Sequence, residues 1–213
     1  MITVYGFIGQ PSHELIEAVA EADLVVGGRR HLDALKVDED RRIVLGRIGP
    51  AITQMQANPE ANIVVIASGD PLFYGVVRRI RAAGLRVRVI PALTSLQLAF
   101  AAVALPWDDA LLVSLHGNDP EPGFEAARTH PKVGLLTDPT NGFKQIVEAC
   151  AGLGKYFVLA EQLGTDDERV RVFDESQART VGEIKQPNVV LVLDYHPDSI
   201  AALGEQSAVS GRH

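Results

Sequence analysis

Ile63-Val64-Val65-Ile66-Ala67-Ser68-Gly69-Asp70-Pro71-Leu72-Phe73-Tyr74-Gly75 is the stretch whose reading decides the fold class. Its first five residues are apolar without alternation, which suits a parallel strand covered on both faces rather than a half-exposed hairpin strand. Asp70 and Pro71 then read as a helix start, because Asp accepts from a free N–H of the first turn and proline fits the first helical position. That reading leaves Gly69 unexplained. A residue without a side chain at a strand end lets a ligand approach the backbone closely, so capping and ligand binding both stay open for this loop.

Outward from this stretch, strand-length apolar runs alternate with helix-length amphipathic ones. Residues 2–8 read as a strand, followed by Leu15, Ile16, Val19 and Ala20 at helical spacing with Ser12 as N-cap. Leu24-Val25-Val26 is a short strand ending at Gly27-Gly28. Residues 87–90 form a strand, 96–104 a helix and 111–113 a further strand. The alternation calls for a parallel sheet with crossover helices. Gly117-Asn118-Asp119-Pro120-Glu121-Pro122-Gly123 has turn residues at nearly every position and reads as the linker between domains 1–117 and 118–213. Beyond it, strands at 133–136, 156–160, 170–173 and 189–193 outnumber the helix near 143–150, which predicts a mixed sheet. The small, polar tail after Pro197 is expected to be poorly ordered.

The 213 residues are 46% hydrophobic and 22% charged, proportions that exclude a disordered or fibrous chain and allow a buried core without staples. Cys150 is the single cysteine, so no intramolecular disulfide can form, and a reducing compartment is expected. The longest apolar run, Leu98 to Leu105, is far short of the ~18 residues of a membrane span, and the N-terminus shows no export signal. A cytoplasmic location without a membrane partner is the expectation. Twenty Lys and Arg against 27 Asp and Glu give a formal charge of -7, which makes a nucleic acid a poor partner. Arg78, Arg79, Arg81, Arg86 and Arg88 are the local exception. They read either as a solvated helix face and strand edge or as a basic patch facing an acidic small molecule.

Ligands of parallel α/β sheets bind outside the carboxyl ends of the strands. Four such ends carry backbone-permissive or polar residues: Gly27-Gly28-Arg29-Arg30-His31, Ser68-Gly69-Asp70-Pro71, Pro91-Ala92-Leu93-Thr94-Ser95 and Ser114-Leu115-His116-Gly117. Their convergence predicts a small-molecule site at that edge, although Thr94 and Ser95 serve equally as helix caps. No G-x-G-x-x-G, P-loop or G-x-S-x-G motif occurs, and Gly6-Phe7-Ile8-Gly9 is too sparse to count as one. The six histidines are scattered without metal-ligand spacing, so no metal is expected.

At these strand ends the chain resembles the tetrapyrrole methyltransferases. The carrying residues are 22–32 (A-D-L-V-V-G-G-R-R-H-L), 67–75 (A-S-G-D-P-L-F-Y-G), 91–99 (P-A-L-T-S-L-Q-L-A), 105–110 (L-P-W-D-D-A) and 114–117 (S-L-H-G). Glu161-Gln162-Leu163-Gly164 with Glu168-Arg169 extends the match into the second half. The S-G-D-P stretch marks the wider family. G-G-R-R-H-L, L-P-W-D-D-A and S-L-H-G narrow it to the branch that methylates C5 of cobalt-precorrin-7, which also forms the N-terminal half of precorrin-6Y C5,15-methyltransferases. The first loop departs from the family's G-I-G-P-G form: it reads Gly9-Gln10-Pro11-Ser12, with Gln10 intrusive and a glycine missing after Pro11.

The resemblance implies two α/β domains with the active site in a cleft between them, and S-adenosyl-L-methionine as methyl donor. It implies donor contacts from Gly69, Asp70, Leu72, Phe73, Tyr74, Thr94, Ser95, His116 and Leu163. Gly9, Pro11, Gly28, Arg29, Arg30 and His31 are implied at the tetrapyrrole, where the Arg forks and the imidazole would meet its carboxylates. Glu161 and Arg169 can pair with each other instead of touching substrate, and no residue is assigned as general base. A homodimer is expected, with C15 methylation and decarboxylation left to a separate polypeptide. The rival expectations are the same fold and donor with an RNA ribose or a modified protein histidine as acceptor, or a non-catalytic nucleotide-binding regulatory module.

Overall fold

The computed structural model describes residues 1–117 and 119–204, which form two compact units, Met1–Thr94 and the chain from Ser95 onward. The first contains β1 (Ile2–Phe7), α1 (His13–Glu21), β2 (Leu24–Gly27), α2 (Arg29–Ala34), β3 (Arg42–Val44), α3 (Ile48–Ala57), β4 (Ile63–Ser68), α4 (Val77–Ala82) and β5 (Val87–Ile90). All its strand pairs are parallel, in the order β3-β2-β4-β1-β5. The uninterrupted apolar run of β4 has the expected consequence. Ile63, Val65 and Ala67 face one core with Met55 and Ile80, while Val64 and Ile66 face the other with Leu15, Val19 and Leu32. Each such side chain contributes roughly 1.5–3 kcal/mol on burial, and both sheet faces are needed to bury them. Ser12 caps α1, its hydroxyl accepting from Leu15 N at 3.1 Å.

The second unit contains α5 (Ser95–Ala102), β6 (Leu111–Ser114), α6 (Glu121–Thr129), β7 (Lys132–Leu136), α7 (Phe143–Ala149), β8 (Tyr156–Glu161), β9 (Arg169–Phe173), α8 (Glu175–Arg179) and β10 (Asn188–Leu193). The sheet order is β6-β7-β10-β8-β9, with β6 and β7 parallel and the other neighbours antiparallel. It is the mixed sheet that the strand-rich second half predicts. Phe143, Ile146, Phe157, Leu159, Val190 and Val192 form its main core. Gly134 makes room for the opposite layer, since a Cβ there would lie 2.9 Å from Leu112 Cδ2 and 3.2 Å from Leu96 Cδ2.

Two expectations, the domain boundary and the 117–123 linker, differ from the structure. The strand at 111–114, read as the last of domain 1–117, pairs with β7 in the second sheet, so the division falls at Thr94/Ser95 rather than at 117/118. The turn-rich 117–123 stretch gives way to α6 at Glu121, with Asn118 outside the described residues. The tail after Pro197 begins with a 3-10 turn, Ile200–Leu203, capped by Ser199, and from Glu205 it lies outside the described residues. The five arginines at 78–88 are exposed on α4 and around β5, Arg88 lying 3.8 Å from Glu14.

Candidate active site

The carboxyl ends of β1, β4 and β5 come together at one point. Gly69 N donates to Phe7 O at 2.9 Å. A Cβ on Gly6 would lie 2.6 Å from Ala92 N and 2.7 Å from Gly69 O. Three backbone segments therefore meet where a methyl group cannot fit, so glycine is required at position 6 for space rather than for its dihedral freedom. In the sequence this signal is a glycine inside a strand pattern, within Gly6-Phe7-Ile8-Gly9, a stretch that matches no motif.

Asp70 and Pro71 do not start a helix. The first helix after β4 begins at Val77, preceded by Val76 without a side-chain cap. Asp70 Oδ1 instead accepts from Leu72 N at 2.8 Å, and its carbonyl accepts from Phe73 N at 3.2 Å. The carboxylate thus closes a turn in place of capping a helix, an alternative that Asp side chains offer the backbone. The loop is held by unusual backbone: Gly69 has φ 68° and Tyr74 φ 53°. At Gly75 a Cβ would lie 2.1 Å from Pro71 O. Leu72 and Tyr74 are left 63% and 51% exposed, while Phe73 packs edge-on against Tyr74 at 5.0 Å. Thr94 is buried at the end of the neighbouring loop, and Ser95 opens α5.

Gly9 (φ 71°) and Pro11 follow β1, both half-buried. Gly28 precedes α2, its carbonyl accepting from His31 N at 2.9 Å and Leu32 N at 3.1 Å. Arg29 and Arg30 are exposed, and among the described residues neither forms an ion pair. His31 is different. Its ring lies edge-on to Phe7, centroids 5.1 Å apart. Burial first, and the charge of Arg30 second, push its pKa below the ordinary 6.5, so the imidazole is neutral at pH 7. Of the three residues read as substrate cations, two are cations.

In the second unit, Ser114 Oγ accepts from His116 N at 3.3 Å, and His116 is exposed at the end of β6. Gly117 N donates to Asp138 Oδ2 at 3.3 Å. Leu163 is nearly buried in a turn fixed on both sides: Gln162 N donates to Pro187 O at 2.8 Å and Gly164 N to Glu168 Oε2 at 2.7 Å. Glu161, fully buried, takes two bonds from Arg169 at 2.8 Å each, two from Arg171 at 3.2 and 3.0 Å, and one from Lys185 N at 2.7 Å. Burial alone would raise its pKa. The Arg169, Lys185 and Arg171 hydrogen bonds and charges outweigh burial and hold it below the usual 4.5. The Glu161–Arg169 pairing expected from sequence is present. Arg171 was missed, although residues 169 and 171 share one strand face by alternation.

A family model of the Tetrapyrrole (Corrin/Porphyrin) Methylases matches residues 12–178. The chain belongs to this family. It is 33% identical over 204 residues to a cobalt-precorrin-7 C(5)-methyltransferase of Salmonella typhimurium, covering 91% of this chain and 99% of that protein. Among solved structures it is similar to a precorrin-6Y methylase of cobalamin biosynthesis from Archaeoglobus fulgidus, with TM-score 0.68, 24% identity, and 91% and 97% of the two chains covered. The uroporphyrin-III C-methyltransferase of Thermus thermophilus, complexed with S-adenosyl homocysteine, shares the fold at TM-score 0.65 and 19% identity, over 91% and 92%. Membership of this family makes the chain a methyltransferase that uses S-adenosylmethionine as methyl donor.

The residues at the carboxyl edge of the first unit fit that donor. The 69–74 loop has a side-chain-free backbone at Gly69, a carboxylate at Asp70 and exposed apolar and aromatic surface at Leu72 and Tyr74. An adenosyl group with an amino-acid tail calls for this mixture of apolar face and a few placed polar groups.

Proposed function

We propose that this chain transfers the methyl group of S-adenosylmethionine to C5 of a corrin precursor of the cobalt-precorrin-7 or precorrin-6Y type in cobalamin biosynthesis. The observation that carries the reading is the 33% identity to the Salmonella C5-methyltransferase along almost the whole of both chains. The donor supplies a methyl group already activated on sulfonium, so the protein's task is positioning. Holding reacting atoms ~3–3.5 Å apart is worth roughly 7–11 kcal/mol, which suits a site without an obvious nucleophile.

In this reading Gly69, Asp70, Leu72, Phe73 and Tyr74, with Thr94, Ser95, His116 and Leu163, hold the donor. Gly9, Pro11 and Gly28 give the tetrapyrrole a close approach to the backbone, and His31 faces it. Arg29 and Arg30, exposed and without ion-pair partners among the described residues, bind its carboxylates. The enzyme works as a cytoplasmic homodimer. C15 methylation and decarboxylation belong to a separate polypeptide, in keeping with a relative named for C5 alone.

Calorimetric titration with S-adenosylhomocysteine, followed by turnover with a corrin precursor, tests the reading. Wild type binds with micromolar affinity, about -8 kcal/mol, and Asp70→Ala, which removes the bond to Leu72 N, binds at least tenfold more weakly. A folded, donor-binding wild type that methylates RNA or a protein histidine but no corrin precursor would refute the acceptor. Light scattering of the purified protein checks the dimer.

A further inference from the structure

Replacing C–H by C–CH3 at a meso carbon releases one proton. The enamine-like carbon attacks the methyl group, a C–C bond forms, and the C–S bond breaks to leave a neutral thioether. The tetrapyrrole is then an iminium until C5 gives up its hydrogen. Resting on the C5-methyl-transfer reading above, we propose that His31 is the catalytic base that takes this proton.

The geometry behind the assignment lies within the first unit. Phe7 ends β1, and its carbonyl accepts from Gly69 N, so it is tied to the loop nominated for the donor. The same residue's ring abuts the His31 imidazole at 5.1 Å and 70° between planes. His31 is thereby held at the carboxyl edge of the sheet, one residue away from the Gly69 loop. Gly28 before it carries no side chain that would cover the ring. Neither ring nitrogen has a hydrogen-bond partner among the described residues, which leaves the imidazole able to accept.

The electrostatic setting agrees. Arg29, Arg30 and Asp33 are the charged groups on α2 itself. Arg42 on β3 is engaged with Asp33 at 2.5 Å and with Val37 O. Tyr5 is the sole ionisable side chain on β1, and β2 and β4 carry none. No carboxylate partner turns the ring into an imidazolium, and Arg30 opposes that form. A base must be unprotonated when the reaction begins, and a half-buried imidazole beside an arginine meets that condition at pH 7. Asp70 Oδ1 is committed to Leu72 N, and Glu161 to two arginines.

The test combines His31→Gln and His31→Asn with a ring titration of the unliganded wild type by NMR. His31 is expected to titrate below 6.5, and the acid limb of the wild-type kcat profile to fall at a pKa belonging to this residue in the complex. Both variants should lose 10²–10⁴-fold in kcat, keep KM and S-adenosylhomocysteine affinity within about threefold, and lose the acid limb. In His31→Ala, added imidazole should restore part of the rate. The proposal is overturned by variants that keep kcat, that raise KM alone, that retain the acid limb or that lose donor binding. It is also overturned by a ring that titrates at or above 6.5. A wild type that binds donor yet methylates no corrin precursor would instead bring down the functional reading, which the wild-type arm reports separately.

Discussion

Gly6→Ala probes the point where three strand ends meet. The added methyl would sit 2.6 Å from Ala92 N, 2.7 Å from Ala92 Cβ and 2.7 Å from Gly69 O. These distances fall ~1 Å inside the roughly 3.5–4.0 Å optimum for non-bonded atoms. Two of the three neighbours are main-chain atoms, so no side chain can rotate away. Relief requires β1 to part from the 69–74 loop, from the 91–94 loop, or from both. Overpacking of this kind costs about 1–3 kcal/mol, and rigid backbone neighbours place this case near the top of that range. Loss of glycine's freedom in the unfolded chain returns about 0.4–1 kcal/mol. The net of about 2 kcal/mol corresponds to a fall in Tm of roughly 4–8 °C for a chain of this size. The same displacement moves Gly69 and Asp70, so donor affinity should drop at least tenfold. Circular dichroism melting and calorimetric titration with S-adenosylhomocysteine read the two effects. Gly46→Ala is the control, because a Cβ there meets nothing within 4 Å. A Gly6→Ala protein that melts within 1 °C of wild type and binds donor normally would refute the close-approach argument.

Other outcomes follow from the second unit. Glu161→Gln leaves Arg169 and Arg171 facing a neutral amide. Both guanidiniums are partly solvated, so the loss should lie at the low end for a broken buried pair, about 3 kcal/mol by urea denaturation; a loss under 1 kcal/mol would mean the network is ornamental to stability. Glu175 is held at a pKa of about 2, chiefly by Gly152 N, then by Arg179 and Gly154 N. Its pKa is depressed on folding, so its stabilisation is complete above 4.5 and disappears as pH falls toward 2. The stability gap between wild type and Glu175→Gln should therefore be full at pH 6 and narrow steadily below pH 4.5; a gap independent of pH would contradict this. Cys150 is fully buried and its thiol is pushed up to about 11, mainly by burial. A disulfide reagent at pH 8 should find no thiol in the native protein and one per chain in guanidinium, and rapid native labelling would refute the packing.

The parts of the fold legible in sequence are those where one physical signal dominates. β4 and β10 are fully or nearly fully buried strands, and their unbroken Val, Ile and Leu runs have no other easy explanation. Short, half-exposed elements gave no pattern to read. β3 has three residues of which one is buried, and α2 buries only Leu32. The division between units was misplaced for another reason. Sequence identifies β6 as a strand but says nothing about which sheet it joins, and its parallel partner β7 lies beyond a helix. Asp70-Pro71 shows a local ambiguity of the same kind. One carboxylate oxygen can accept from the second N–H of a helix or close a short turn, and the same residue types favour both. What settles the matter is Tyr74 at φ 53° and Gly75 packed on Pro71 O, a backbone path that no helix from Pro71 could follow.

The candidate site was legible as a location and much less as chemistry. The rule that ligands sit beyond strand carboxyl ends brought out the residues around Gly28, Gly69 and Thr94 without any knowledge of the sheet order. Their electrostatic character depends on neighbours distant in sequence. Arg29, Arg30 and His31 read together as a basic triplet, and the first two keep that character in the structure. His31 does not, because Phe7, 24 positions earlier, packs against its ring while Arg30 opposes its protonation. An imidazole in that setting binds a carboxylate weakly at pH 7 but is ready to receive a proton. One aromatic contact across two strand ends thus moves a residue from a binding role toward a chemical one, a change invisible in the triplet itself.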